Sequence, residues 1–150
     1  PGITEIEPGS FVFGVGAEGT GYGWRSVNDV YFKPSLTVLT QIIGANFDDR
    51  VVTDAGLKVM SGGDRRSDPA VLVKVDGEPL EFERVGLSEE HGTITFKEGS
   101  EARKKLRWGQ KLEFVPSHCC TTVNQHDEIV AVKDGRVAAV WPVTARGKYY

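Results

Sequence analysis

Two Asp-Gly pairs, each between runs rich in alternating apolar residues, constrain the fold of this chain more than any other feature. The first, Asp76-Gly77, separates residues 70–75 from residues 80–85, and Pro79 stands just after it. The second, Asp134-Gly135, separates residues 128–133 from residues 136–141. Asp-Gly supplies the left-handed backbone that a two-residue hairpin turn requires, so each pair predicts strand, turn and strand.

Other short apolar runs at similar spacing extend this pattern, and no long helical periodicity accompanies them. We therefore predict an all-β domain, mainly an antiparallel barrel or sandwich with at most short helical turns. A short helix capped by Ser100 is expected within residues 98–108, whose Arg103, Lys104, Lys105 and Arg107 predict a solvated charged face. The further predicted strands are residues 11–13, 35–45, 50–54, 57–60, 93–96 and 111–115.

Length and composition limit the classes of protein that the chain can be. Its 150 residues suit one domain, and 39% hydrophobic with 26% charged residues is an ordinary globular composition. A net charge of −3 gives no reason to expect nucleic acid or an anionic membrane as partner. No apolar run has the length of a membrane span, and no signal peptide is visible. The two cysteines are neighbours and predict no disulfide framework, so a reducing, cytoplasmic setting is the default.

The stretch from Pro116 to Asp127 concentrates metal-binding side chains. His118, Cys120 and Asp127 lie within a dozen residues, directly after the strand predicted at 111–115. If that strand continues, His118 and Cys120 point to one face and Cys119 to the other. An imidazole and a thiolate so placed form half of a site for zinc or another borderline-soft divalent ion, with positions open to water and substrate. The alternative is structural, with small buried cysteines and a hydrogen-bonded imidazole.

Three further places carry candidate functional groups. Asp54 and Lys58 are a possible catalytic carboxylate and amine, or else a turn carboxylate and a solvated lysine. His91 could orient a substrate or a metal-bound water, or be an exposed imidazole beside two glutamates. The glycine-dense residues 14–23 could cradle a phosphate, but neither a helix pattern nor a lysine follows, so a flexible loop is the better interpretation.

Several segments, in order along the chain, resemble the C-terminal region of the D-threonine aldolase and D-serine dehydratase family. The strongest is the run from His118 to Asn124, His-Cys-Cys-Thr-Thr-Val-Asn. The other matching segments are residues 3–13, 52–58, 88–92, 126–127, 134–136 and 141–147. The members of this family are pyridoxal-phosphate (PLP) enzymes with an alanine-racemase-like barrel and a β-rich domain. The resemblance implies that residues 1–150 are one β domain, the metal-binding C-terminal part of a larger enzyme.

The resemblance also implies roles for the residues of the 116–127 stretch. His118 and Cys120 match the two metal ligands, whereas Cys119 matches neither and has no expected role. Asn124, His126 and Asp127 are expected either to orient the ligands or to cap turns. Aldolases of the family commonly carry Asp at the second ligand position, while Cys resembles the D-serine dehydratase pattern. Dehydration of a D-3-hydroxy amino acid is therefore favoured, and retro-aldol cleavage is the competing reaction.

The resemblance further places the PLP lysine in the barrel domain, and no βα-repeat pattern for a barrel exists in this chain. We therefore expect zinc or another divalent metal here and PLP on a partner barrel domain. The isolated chain is then expected to be inactive. The resemblance also implies a possible homodimer for the full-length form. The other possibility is a stand-alone β module that binds a ligand or a protein without catalysis.

Overall fold

A seven-stranded antiparallel sheet, curled into a half-barrel, forms the body of the computed structural model. The structure describes residues 2–5, 9–13, 34–62 and 69–148. Within them the strand order is β4-β3-β7-β1-β2-β6-β5, and β8 and β9 form a separate hairpin. The all-β prediction is confirmed. The strands are β1 Val38–Gly44, β2 Arg50–Thr53, β3 Ala70–Val75, β4 Glu78–Pro79, β5 Arg84–Leu87, β6 Gly92–Thr95, β7 Lys111–Pro116, β8 Glu128–Lys133 and β9 Arg136–Pro142; the helices are α1 Glu101–Lys104, α2 Cys119–Val123 and a 3-10 helix Ser10–Phe13.

One face of the sheet forms the core because side chains alternate along each strand. In β1, Val38 and Ile42 are buried while Leu39 and Ile43 are exposed on the opposite face. Burying this single apolar face supplies the main stabilisation of the domain. The buried cluster contains Val38, Ile42, Val51, Ala55, Met60, Ala70, Val73, Val85, Ile94, Phe96, Leu106, Leu112 and Phe114.

Both Asp-Gly pairs form the predicted turns. Asp76 and Gly77 have φ angles of 52° and 86°, and Asp134 and Gly135 have φ angles of 52° and 72°. Positive φ at both central residues is the type I′ geometry, whose twist matches that of the flanking strands. The second hairpin, β8 and β9, is confirmed over the predicted residues.

The first hairpin is much shorter than predicted. Its returning strand β4 contains only Glu78 and Pro79, and the bond from the Leu80 N–H to the Val73 carbonyl (2.8 Å) follows it. Pro79 has no N–H to donate, which weakens the ladder at this point. The chain then crosses to the other edge of the sheet, where residues 84–87 pair with β6. The prediction of one strand over residues 80–85 is therefore wrong.

Two other predicted strands are wrong. Residues 57–60 form a turn in which the N–H groups of Val59 and Met60 bond to the Gly56 carbonyl at 3.0 and 3.2 Å. Met60 is completely buried, so its apolar character reflects core packing and not strand alternation. Residues 11–13 belong to the 3-10 helix. The glycine-dense segment 14–23 lies outside the described residues.

Helix α1 begins at the predicted cap, where the Ser100 hydroxyl accepts a bond from the Arg103 N–H (3.3 Å). The prediction of a solvated charged face is wrong for Arg103, which is only 8% exposed. Its guanidinium donates to the carbonyls of Arg50 (3.0 Å), Leu106 (3.3 Å), Ala45 (2.6 Å) and Phe47. The planar fork thereby fixes the loop between β1 and β2 against the helix.

We predict that Arg103→Met greatly destabilises the protein, because four backbone carbonyls lose a donor. Each unsatisfied buried group costs about 1–3 kcal/mol, so the free energy of unfolding should fall by roughly 3 kcal/mol or more. Lys104→Met is the matched control, since Lys104 is exposed and its ion pair within the described part of the chain is with exposed Glu101. Urea denaturation of both variants measures the difference. Equal stability of the two variants would contradict the role of Arg103.

The turn at residues 56–60 packs directly on the loop between β5 and β6. A Cβ atom at Gly56 would lie 2.5 Å from the Glu89 carbonyl oxygen and from the His91 nitrogen. The Leu57 and Lys58 N–H groups donate to the carbonyls of Ser88 (2.8 Å) and Glu89 (3.1 Å). Only glycine permits this approach of two backbones.

We therefore predict that Gly56→Ala lowers the free energy of unfolding by about 1–3 kcal/mol, the usual cost of overpacking. Gly86→Ala is the control, because a Cβ atom at Gly86 meets nothing within 4 Å. Thermal unfolding should show a lower Tm for Gly56→Ala and an unchanged or higher Tm for Gly86→Ala. A neutral Gly56→Ala variant would show that the two loops do not pack this closely.

Among the described residues, no helix is long and apolar enough to cross a membrane.

Candidate metal site

Strand β7 ends opposite the first residues of its two antiparallel neighbours. Phe114 is the partner of Val38, the first residue of β1, and Pro116 is the partner of Ala70, the first residue of β3. One further bond, from the Ser117 N–H to the Pro69 carbonyl (2.9 Å), follows. Beyond it, no ladder bond to the described residues continues the strand, and the chain turns into helix α2.

The predicted continuation of the strand through His118 and Cys120 is therefore wrong. His118 is the residue before helix α2 and has extended angles, φ −137° and ψ 118°. Cys119 and Cys120 are the first two residues of α2. Strand alternation consequently does not place the two expected ligands on one face. Any convergence of their side chains depends on the geometry of this strand-to-helix junction.

Exposure separates the two cysteines. Cys119 is 3% exposed and belongs to the interior, whereas Cys120 is exposed and His118 is half-buried. The two sulfur atoms are 3.9 Å apart. Partial burial, and then the neighbouring Cys119, raise the pKa of the Cys120 thiol. The thiol is therefore protonated at neutral pH in the metal-free chain, and a metal ion must displace that proton to bind.

The junction lies against the 56–60 turn and the residue that follows it. The His126 Nε2 atom is 2.7 Å from the Val59 carbonyl oxygen, and the Ser61 N–H donates to the Thr122 hydroxyl (3.1 Å). The same hydroxyl donates to the His118 carbonyl (2.7 Å). Sequence reasoning did not identify Thr122 or Ser61, because a threonine in an apolar helix and a serine in a loop carry no metal-binding signal.

The 56–60 turn is thus contacted on one side by the 118–127 segment, which belongs to the family resemblance. Its other side contacts the loop from Ser88 to His91, and Lys58 forms an ion pair with Glu90. That pair, followed by the charge of Glu89, raises the pKa of Lys58. Segments 52–58, 88–92 and 118–127, far apart along the chain, therefore meet in one region.

Asp54 has a structural explanation in this region. One of its carboxylate oxygens, Oδ1, accepts bonds from the Thr40 hydroxyl (2.6 Å) and the Gln41 N–H (2.8 Å). These bonds join the end of β2 to β1. Lys58, its suggested catalytic companion, pairs with Glu90. A catalytic role for Asp54 stays a prediction.

His91 lies in the loop that contacts the 56–60 turn, with its side chain exposed. Its backbone carbonyl accepts bonds from the N–H (2.9 Å) and the hydroxyl (3.3 Å) of Ser88, which close the loop. These contacts fix the backbone of His91 and leave its catalytic role a prediction.

Asn124 and Asp127 attach the C-terminal segment to the junction. The Asn124 side-chain oxygen accepts a bond from the Gly147 N–H (3.0 Å), and Asp127 pairs with Arg146 (3.2 Å). The Asp127 carbonyl accepts a bond from the Val143 N–H (2.8 Å). These contacts are structural, as is that of His126 with Val59, so the suggested role of all three in orienting ligands stays a prediction.

The donors among the described residues do not form a closed metal site. The described residues contain no group of three or more His, Cys, Asp or Glu side chains able to hold a metal ion. Within this part of the chain, His118 and Cys120 therefore supply at most two donors, whereas a structural zinc site uses four. Beside His118, the hydroxyl of Ser117 is 1% exposed and has no hydrogen-bond partner among the described residues. A buried polar atom of this kind is available to a group bound at the junction.

Comparison with known proteins gives relatives that share most of this chain. A D-threonine aldolase of Arthrobacter sp. is 35% identical over 145 residues, which are 96% of this chain and 35% of that protein. A 3-hydroxy-D-aspartate aldolase of Paracoccus denitrificans is 32% identical over 126 residues, 84% of this chain and 30% of that protein. The crystal structure of a D-threonine aldolase from Filomicrobium marinum superposes with a TM-score of 0.65 at 29% identity, covering 84% of this chain and 32% of that one.

This chain thus spans about a third of the length of those relatives. A family model described as the putative serine dehydratase domain matches residues 35–132, more than half of the chain. The matched region runs from just before β1 into β8 and includes the 56–60 turn, the 88–91 loop and the junction at His118. The resemblance inferred from the motifs is therefore confirmed, and the chain belongs to the serine dehydratase domain family.

Proposed function

We propose that this chain is the metal-binding β domain of a PLP-dependent lyase that acts on D-3-hydroxy amino acids. One observation carries the proposal: an imidazole and an exposed thiol, two residues apart, lie at the junction where the three family segments meet. The names of the two aldolase relatives support this substrate class, since D-threonine and 3-hydroxy-D-aspartate both carry a hydroxyl on the β carbon.

The residues of the junction would hold the ion and leave it accessible. A bound zinc ion supplies Lewis-acid activation of the substrate β-hydroxyl. The His118 imidazole and the Cys120 thiolate are the two donors, and the exposure of Cys120 keeps the site open to solvent and substrate. A zinc ion with four or five coordination positions would keep two or three of them for substrate and water.

Two reactions remain in competition. Cys120 at the second ligand position resembles the D-serine dehydratase pattern and favours loss of water. The two curated relatives are described as aldolases, which favours cleavage between the α and β carbons. The products distinguish them, because dehydration of D-serine gives pyruvate and ammonia, whereas cleavage of D-threonine gives glycine and acetaldehyde.

We propose that PLP is bound by a separate barrel domain, which accounts for the difference in length between this chain and its relatives. The β8–β9 hairpin offers a surface for such a partner. Val130, Val132, Val137 and Val140 are 48–65% exposed, and the register pairs Val130 with Val140 and Val132 with Val137 on one face. A contiguous exposed apolar face of this kind is typical of a contact surface.

Replacement of either donor should abolish stable metal binding. We expect wild-type chain to bind one zinc ion and His118→Ala and Cys120→Ala to bind at least about tenfold more weakly, a conservative bound because altering only the groups around a metal's ligands already costs 10–100-fold. Cys119→Ala is the matched control and should keep its zinc. Equilibrium dialysis with metal analysis gives the affinities, and circular dichroism checks the fold.

Zinc retained by both donor variants would contradict the assignment of the ligands. If zinc is lost from Cys119→Ala but retained by Cys120→Ala, the thiolate ligand is Cys119 and the assignment to Cys120 is wrong.

The isolated chain should show no lyase activity. Supplied with PLP, zinc, and D-serine or D-threonine, it is expected to form neither pyruvate nor acetaldehyde above the rate without protein, because the lysine that binds PLP would lie in the barrel domain. Coupled assays for the two products measure this directly. Turnover at the usual enzyme rates of about 1 s⁻¹ or faster would show that the chain contains a complete active site.

A further inference from the structure

We propose that Thr122 is the positioning residue of the metal site. Its hydroxyl locks the backbone at His118 to the 56–61 segment and so sets the separation of the two donors. This inference rests on the proposed metal site and adds to it a residue that is not a ligand.

The contacts of Thr122 use its hydroxyl in both directions. The oxygen donates to the His118 carbonyl at 2.7 Å and accepts from the Ser61 N–H at 3.1 Å. The side chain is 1% exposed, so both bonds are shielded from competing water. A hydroxyl has one hydrogen to donate, and here it is directed at the peptide that lies between the two donors.

The local helix cannot set this geometry by itself. Helix α2 has five residues, far fewer than an isolated helix needs for stability in water. His118, the residue that precedes it, makes no side-chain capping bond to its first turn. The bond from Thr122 back to His118 closes the same turn that carries Cys120. Tertiary contacts must therefore hold the turn in place.

A second contact shows that the whole segment is fixed against the same turn. The His126 Nε2 atom lies 2.7 Å from the Val59 carbonyl oxygen, at the far end of the segment. Ser61 and Val59 are two residues apart, so Thr122 and His126 contact one short stretch of backbone. Loss of the Thr122 hydroxyl leaves the far end attached and removes the link that joins the His118 carbonyl to the Ser61 N–H.

The neighbouring threonine allows a matched test. Thr121 is exposed on the same helix, whereas Thr122 is buried. Thr122→Val keeps the shape of the side chain and removes the hydroxyl, and Thr122→Ser keeps the hydroxyl and removes the methyl group. Thr121→Val makes the same chemical change at the exposed position.

The readouts are the zinc dissociation constant by competition with a chromophoric chelator, the thiolate-to-cobalt absorption of the Co²⁺-loaded chain, and hydrogen exchange of the Ser61 amide. For Thr122→Val we expect a zinc Kd about tenfold or more above wild type. We also expect an altered cobalt spectrum and faster exchange at Ser61. Thr122→Ser should restore all three towards wild type, and Thr121→Val should leave all three unchanged.

Three results would overturn the inference. If Thr122→Val lowers Tm but leaves the zinc Kd and the cobalt spectrum unchanged, Thr122 only stabilises the fold, and the proposed metal site itself stands. If Thr122→Ser fails to restore zinc binding, the hydroxyl is not the responsible group. If wild-type chain binds no zinc, the proposed function fails and the inference with it. Should Thr122→Val not fold, Thr122→Ala provides the same comparison without the β-branched side chain.

Discussion

The end of the β7 ladder determines where the candidate chemistry of this chain lies. Strand β7 is the third strand of the sheet. Its pairing with β1 ends at Phe114, and its pairing with β3 ends at Pro116. The chain then turns into α2, and that turn carries His118 and Cys120. Because the ladder ends here, His118 and Cys120 lie outside the sheet, at the start of α2.

A turn with a required glycine gives the junction its support. Gly56 allows the 56–60 turn to lie on the 88–91 loop, and the other side of the same stretch receives Thr122 and His126. Buried Met60 and Ala55 fix this stretch to the core, and Arg103 fixes the loop that precedes β2. The two candidate donors, His118 just before α2 and Cys120 within it, thus stand on a strand-to-helix connection supported by the sheet.

Local patterns were sufficient for much of the fold. Both Asp-Gly turns, the β8–β9 hairpin and the Ser100 cap were predicted because each depends on the conformational preferences of a few adjacent residues. The errors occur where distant contacts decide. Within residues 57–60, Met60 is apolar because the core covers it, although the backbone there is a turn. The sequence around Arg103 predicts exposure because the carbonyls that bind its guanidinium belong largely to a distant loop. Residues 80–85 cross from one edge of the sheet to the other, because Arg84 and Val85 pair with β6.

The same distinction applies to the candidate site. Residue type, spacing and the family resemblance selected His118 and Cys120, but the argument for their convergence assumed a strand where the structure has helix α2. The contacts of Asp54, Asn124 and Asp127 join segments that are 13–23 residues apart in sequence, and these contacts give all three a structural role. Thr122 could not have been selected, since its partner Ser61 is 61 residues away.

X-ray absorption spectroscopy of the zinc-loaded chain tests the central claim most directly. The proposed site predicts one sulfur neighbour at about 2.3 Å, one imidazole nitrogen at about 2.0–2.1 Å and oxygen atoms in the remaining positions. A shell of four protein donors, or a zinc ion with no sulfur neighbour, would contradict a two-donor site built from His118 and Cys120.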